Sequence, residues 1–318
     1  MDPTLESWLQ AAHMPDVEFV EQLWRAVLRR PIEPEARDDA LRRLAGGMSR
    51  TALLADLVSS PEFERVRVLD DAVAWATAQR AAGERPRNLR APAGTDERPI
   101  EIPWCLARAG GASRVLDAGY AFAEPAYLAG LVGLGAKRLV GVDLAAAEVP
   151  RLESVTADLR ELPFADGSFD LAIAVSTLEH VGRDNTQYGL GVEDDDDSLD
   201  RALRELGRVL AHDGRLLVTV PAARTDERRP EQLVLTPNSW ADRFERNGFV
   251  IYEDELYELG ADGWTSVSEL AADTGYGERG PAASAVLCAE LRARTLAQRL
   301  RLGVRDRRHA GEVRRVTG

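Results

Sequence analysis

Apolar positions between residues 17 and 66 recur at helical spacing. They run Phe19, Val20, Leu23, Trp24, Val27 and Leu28, then Leu41 and Leu44, then Leu53, Leu54, Leu57 and Val58. Pro31 and Pro34 divide the first group from the second, and Gly46-Gly47 with Ser49 divide the second from the third. The pattern predicts three short helices, continued by a further helix from Val66 to Ala82. Gly83 to Pro99, rich in Pro, Gly, Arg and charge, reads as a linker. The expected division is therefore a helical module at 1–82, a linker at 83–99, a larger domain at 100–291 and a tail at 292–318.

Beyond the linker the period changes. Ile100-Glu101-Ile102-Pro103-Trp104 leads into a helix, and Trp104 reads as packing or as a ligand-stacking ring. Arg114-Val115-Leu116-Asp117-Ala118-Gly119 is a short apolar run ending in an acid and a glycine. Pro125 then opens a helix whose face is Leu128, Leu131 and Val132 and whose stop is Gly135. A second run, Arg138-Leu139-Val140-Gly141-Val142-Asp143, ends in a carboxylate 24 residues after Gly119. Strand, tight turn, helix and strand in this order build an α/β crossover. In a crossover that binds a nucleoside, an acid at this spacing accepts hydrogen bonds from ribose hydroxyls; as a plain strand end it would only face solvent.

The alternation continues through Phe169–Val175. Gly182 to Gly189 reads as a loop over the strand ends, and Leu199, Leu203, Leu206 and Leu210 mark a helical face. Asp213-Gly214 reads as the turn into Arg215–Pro221. Trp240, Phe244 and Gly248 suggest a helix and its stop. Phe249–Leu259 and Ala282–Leu291 fit the last two strands, with a tight turn at Gly260-Ala261-Asp262-Gly263-Trp264 between them.

One passage is far more specific than any glycine pattern: Asp158-Leu159-Arg160-Glu161-Leu162-Pro163-Phe164-Ala165-Asp166-Gly167-Ser168-Phe169-Asp170, continued to Leu178-Glu179-His180-Val181. With the run around Asp117 it resembles class I S-adenosylmethionine-dependent methyltransferases. The resemblance implies an α/β fold, a Rossmann-like seven-stranded sheet with its last strand antiparallel, beside the small all-α N-terminal domain. It implies S-adenosylmethionine as cofactor, with Asp117 and Gly119 beside its methionine part, Asp143 on the ribose and Asp158 with Leu159 on the adenine edge. Ser176 falls past the fourth strand, between cofactor and acceptor. Ala121 and Ala123 stand where glycine is usual in the first cofactor-binding loop. Together with the single Gly119, this weighs against a nicotinamide dinucleotide, whose pyrophosphate needs close backbone approach.

The phrases Leu23–Pro31, Ser49–Thr51 and Ser59–Phe63 also resemble a short helical domain of unknown function that recurs beside bacterial surface-glycan enzymes. That resemblance implies an interaction module with a protein partner; a helical lid or oligomerisation arm is the plainer reading.

Charge and composition narrow the function. The formal net charge of −13 argues against a general nucleic-acid binder. From Arg292 onward nine arginines face Asp306 and Glu312, a net of +7. This basic tail suggests an acidic partner or an anionic membrane surface, or simply a solvated face. No apolar run reaches the length of a membrane span and the start shows no secretory pattern, so a cytoplasmic location is the default expectation. Cys105 and Cys288 lack metal-like spacing, and the acidic run Glu193–Asp197 before a helix is explained by the helix dipole, so no metal is expected. For chemistry, His180 is the candidate base and Glu179 the runner-up. The expected reaction is methyl transfer to a small molecule or sugar hydroxyl. A non-catalytic binding protein that keeps the fold is the alternative motivated by Ala121 and Ala123.

Overall fold

The computed structural model describes residues 14–191, 194–279 and 282–293. By contact density the chain divides into two units, Met1–Ala72 and Val73–Gly318. Each has its own apolar interior.

In the first unit, helices α1 (Asp16–Val27), α2 (Pro34–Ala45) and α3 (Arg50–Val58) bury one face each. Phe19, Leu23, Trp24, Leu53, Leu54 and Leu57 form the centre of its core, as the helical period requires. Ser49 caps α3, its hydroxyl accepting from the Ala52 N–H at 3.1 Å. Arg30, just past α1, pairs with Glu62 at 2.5 Å, in the first turn of the helix that follows α3. Helix α4 (Pro61–Ala81) begins in this unit and ends in the next.

The second unit is built on one sheet. Strands β1 (Arg114–Ala118), β2 (Arg138–Asp143), β3 (Glu153–Thr156), β4 (Phe169–Val175) and β5 (Leu210–Pro221) pair in parallel in the order β3-β2-β1-β4-β5. A two-stranded ribbon, β6 (Glu227–Arg228) and β7 (Leu233–Val234), rises from the charged passage after β5. Strand β8 (Phe249–Gly260) turns at Ala261-Asp262 into β9 (Gly263–Val267), and β10 (Ala285–Ala293) inserts antiparallel between β5 and β8. The last strand is thus antiparallel, as expected, but the sheet has eight strands. The turn at Gly260–Gly263 does not merely reverse the chain; it starts an edge strand, pinned by the Ala91–Trp264 bridge.

Asp213-Gly214, expected as a turn, lies within β5. The partners on the two strands skip there, from Phe169 beside Leu210 to Leu171 beside Arg215, so the turn is absorbed as an irregularity at the strand's start. Helix α7 (Ser198–Val209) precedes it, burying Leu199, Leu203 and Leu206. Helix α6 (Pro125–Val132) follows β1, and α8 (Pro237–Arg246) leads into β8.

Helix α5 (Arg98–Arg108) is buried along nearly its whole length and packs on β4, β5 and β10. Pro103 lies inside it, removing one backbone donor. Trp104 is fully buried, donates from Nε1 to Glu255 at 3.1 Å and carries the Arg108 guanidinium 4.0 Å above its ring. It packs on the sheet and lines no cavity described below. Residues before α5 also lie on the sheet: the Asn88 N–H donates to Glu255 and the Leu89 N–H to the Tyr257 hydroxyl. Cys105 and Cys288 are buried free thiols. Among the described residues no helix is long and apolar enough to cross a membrane. The basic tail lies outside the described residues, apart from Arg292 and Ala293.

Candidate functional site

At the carboxyl ends of β1, β2 and β4 a cavity of about 250 Å³ opens. In open α/β sheets ligands bind where the chain leaves these strand ends in opposite directions. β1 lies at that point, with β2 on one side and β4 on the other. Asp117, Gly119, Asp143, Asp158, Leu159, Ser176 and His180 all line the cavity. Residues read from scattered short runs thus converge on one site.

Gly119 has a positive φ of 92°, and a Cβ added there would lie 2.3 Å from the Thr177 hydroxyl oxygen. Thr177 is fixed by hydrogen bonds to the carbonyls of Ala118 and Val175, so the loops after β1 and β4 touch at a point where only glycine fits. Asp117 is almost wholly buried and accepts from the Tyr127 hydroxyl through Oδ2, while Oδ1 has no partner. Burial pushes its pKa up to about 7, against the Tyr127 hydrogen bond. An unpaired buried acid aimed into a cavity calls for a donor from a ligand.

Asp143 ends β2 and accepts backbone N–H groups from Ala145 at 3.0 Å and Ala121 at 3.1 Å. Ala121 itself does not line the cavity; its amide closes the β1 loop over Asp143, and Phe122 and Ala123 are the loop residues that reach the lining. Asp158 faces Arg160, whose Nε lies 2.9 Å from its carboxylate. Burial raises the Asp158 pKa, but the Arg160 contacts outweigh it and hold the group below its ordinary value.

Ser176 has a positive φ of 44°, a strained backbone for a residue with a side chain. Its hydroxyl donates to Glu101 at 2.8 Å. Glu101, from α5, is fully buried and lines the cavity; burial, with Glu97 nearby, pushes its pKa up to about 8. Sequence reasoning missed Glu101, although a lone acid inside the run Pro99–Trp104 was the available signal. It also missed Tyr127, Thr177 and Tyr188, whose residue types carry no signal until the fold brings them together.

A second cavity, about 320 Å³, adjoins the first. Arg98, Ser176, His180 and Tyr188 line both. Tyr188 lies against Phe122 at 4.9 Å with the rings tilted by 38°, and edge-on to His180 at 5.9 Å. His180 Nδ1 lies 2.7 Å from the Glu231 carbonyl oxygen. A carbonyl only accepts, so Nδ1 carries the proton and Nε2 keeps its lone pair. Burial lowers the His180 pKa. Glu179 opens only into the second cavity; it is almost fully buried, Oε1 lies 4.0 Å from His180 Nε2, and Oε2 has no partner. Burial pushes its pKa well up.

The acidic run before α7 serves the loop that follows His180. Arg183, buried, pairs with Asp194 at 2.9 Å and with Asp196, and Arg228 joins both carboxylates. Among the described residues no group of three His, Cys, Asp or Glu side chains has metal-ligating geometry.

Residues 116–218, spanning β1 to β5, match the family model described as a methyltransferase domain. S-adenosylmethionine is the cofactor that this indicates. No curated protein matched the chain. Among solved structures it is similar to the (4+2)-cyclase SpnF, with 17% identity and a TM-score of 0.43 over 70% of this chain and 94% of that one. It is similar to the 1,6-didemethyltoxoflavin-N1-methyltransferase of Burkholderia thailandensis, with 19% identity and a TM-score of 0.42 over 84% and 93%. It is also similar to an S-adenosylmethionine-dependent methyltransferase from Mesorhizobium loti, with 18% identity and a TM-score of 0.39 over 63% and 98%.

Proposed function

We propose that the second unit transfers a methyl group from S-adenosylmethionine to a hydroxyl of a small molecule or sugar, with the cofactor in the first cavity and the acceptor in the second. The residues present fit the cofactor. Asp117 Oδ1, buried and unpaired, suits the amino group of the methionine part, and Gly119 leaves room beside it for want of a Cβ. Asp143 suits the ribose hydroxyls, and Asp158 with the backbone at Leu159 suits the adenine edge. Ser176 lies on the border of the two cavities.

When bound, S-adenosylmethionine supplies an electrophilic methyl on a sulfonium. The chain's own task is to align the acceptor oxygen, exclude water and remove one proton. The observation that carries the reading is the His180 tautomer: its Nδ1 proton is committed to the Glu231 carbonyl. Nε2 is therefore the atom that takes the hydroxyl proton as the oxygen–carbon bond forms. Ser176, hydrogen-bonded to Glu101, orients groups at the junction, and Tyr188 with Phe122 covers it. Glu179 stands 4.0 Å behind the imidazole, placed to stabilise its protonated form.

The N-terminal unit supports a role as a docking module for a protein partner, because it has a separate core and contributes no residue to either cavity.

The test is steady-state kinetics of His180→Ala on whichever acceptor an acceptor screen identifies. Loss of a positioned base lowers kcat by about 10²- to 10⁴-fold, with cofactor affinity unchanged. In the parent protein the rate falls as pH drops through the imidazole pKa, which lies below the ordinary 6.5. An unchanged kcat in the variant would remove His180 from the chemistry.

A further inference from the structure

The second cavity contains more carboxyl groups than its own architecture pairs. Glu97, Glu179 and Glu231 line it, with Arg98 as its one lining cation among the described residues. Arg98 is already committed, lying 2.7 Å from Asp96 and 3.4 Å from Glu124. Glu231 is met by Arg229 at 3.3 Å. Among the described residues Glu97 and Glu179 have no Arg or Lys partner, and Glu179 meets only the neutral His180 imidazole at 4.0 Å. Each is more than nine-tenths buried, and each keeps one carboxylate oxygen, Oε2, without a hydrogen-bond partner. Gln232, also buried in this lining, leaves its amide nitrogen without a partner of hydrogen-bonding geometry. Glu101 and Glu97 both disfavour charge on Glu179, and Glu97 disfavours it on Glu101. Buried carboxylates in this state are costly unless a cation or strong donor meets them.

We propose that the acceptor carries a protonated amine, which seats against the Glu97 and Glu179 carboxylates while the acceptor hydroxyl faces His180 Nε2. The substrate class is thus a small amino alcohol. The inference rests on the placement of the acceptor in this cavity. An ammonium has three donors and one positive charge, matching two acceptor-only groups with free oxygens. A phosphate- or carboxylate-bearing acceptor meets like charge here. A divalent metal is disfavoured because no set of three ligating side chains with suitable geometry surrounds the space among the described residues. A neutral polyol offers no positive charge to draw the two raised carboxyls into their ionised form.

The experiment uses the full chain saturated with S-adenosylhomocysteine, so that the first cavity is filled. Cyclohexylammonium chloride and its neutral isostere cyclohexanol are titrated by calorimetry at pH 7.5, with magnesium chloride as a third titrant. The account predicts a dissociation constant on the order of 1 mM for the ammonium, the level open to a probe of so few atoms, and binding at least about tenfold weaker for the alcohol. Glu179→Gln weakens the ammonium at least about fivefold and leaves S-adenosylhomocysteine binding unchanged; Glu97→Gln serves as the second variant if the first does not fold. Equal binding of amine and alcohol, no binding of the amine, loss in neither variant, or displacement of the amine by magnesium would overturn the inference. The S-adenosylhomocysteine titration, run first, reports separately on the underlying reading. Its failure overturns both, whereas cofactor-product binding without amine selectivity overturns the inference alone.

Discussion

At the scale of single residues, the site depends on contacts that leave no slack. Gly119 is the clearest case, combining a positive φ with a neighbour that a methyl group would strike. Gly119→Ala is expected to cost about 2–4 kcal/mol of stability, from the left-handed backbone and the overpacking together. It is also expected to weaken S-adenosylmethionine binding at least about tenfold, through displacement of Thr177 and the β1 loop. Urea unfolding and calorimetry check the two effects, and a variant indistinguishable from the parent in both would contradict the packing argument. Asp117, Gly119 and Asp143 were legible in the sequence because each sits at the end of a short apolar run, where strand and turn chemistry fix the position; Asp158 was singled out only by the resemblance of the passage that begins with it. Glu101, Tyr127 and Tyr188 were not legible. They reach the site from a helix before the first strand, a helix after it and a distant loop, and such convergence is set by tertiary packing. Ala121 shows the limit from the other side: its position in the loop was read correctly, but what it offers is a backbone N–H to Asp143.

At the scale of elements, the parallel strands β1, β2, β4 and β5 were readable from apolar runs because they are largely buried, whereas β3, mostly exposed at the sheet edge, has no such run. The edge strand β9 was not readable either, since Gly263–Val267 is only partly buried and polar at Thr265 and Ser266. Helix α5 has the most consequential placement. It carries Glu101 into the interior beside Ser176 and Glu97 to the second cavity. Buried acids on α5 and β1 make the stability of the protein depend on pH. Glu101 is pushed up to about 8 from 4.5 and Asp117 up to about 7 from 3.8. In the window between those values the folded chain binds more protons than the unfolded chain, so stability falls as pH rises. His180 works in the opposite direction, because its pKa is lowered and its contribution grows as pH rises through 6.5. One imidazole stands against two carboxyls, joined by Glu179, which is also raised. The expected outcome is a melting temperature that declines between about pH 5 and pH 8, with a shallower decline in Glu101→Gln. A melting temperature that rises across that window would contradict these assignments.

At the scale of the whole molecule, the chain separates its tasks. The unit Met1–Ala72 buries a small helical core, and both cavities lie in Val73–Gly318. Within that second unit the parallel strands bring the acids to one end, α5 supplies buried carboxyls, and the loop from Gly182 to Gly191 closes over the opening, held by the pairing of Arg183 with Asp194 and Asp196. The central claim is that the cavity at the ends of β1, β2 and β4 is the S-adenosylmethionine site. The most direct test is calorimetric titration of the purified full chain with S-adenosylmethionine and with NAD, alongside Asp143→Ala. The account predicts a dissociation constant on the order of micromolar for S-adenosylmethionine, at least about tenfold weaker binding in Asp143→Ala, and no heat from NAD. Binding of NAD in place of S-adenosylmethionine, or S-adenosylmethionine affinity untouched by Asp143→Ala, would contradict it.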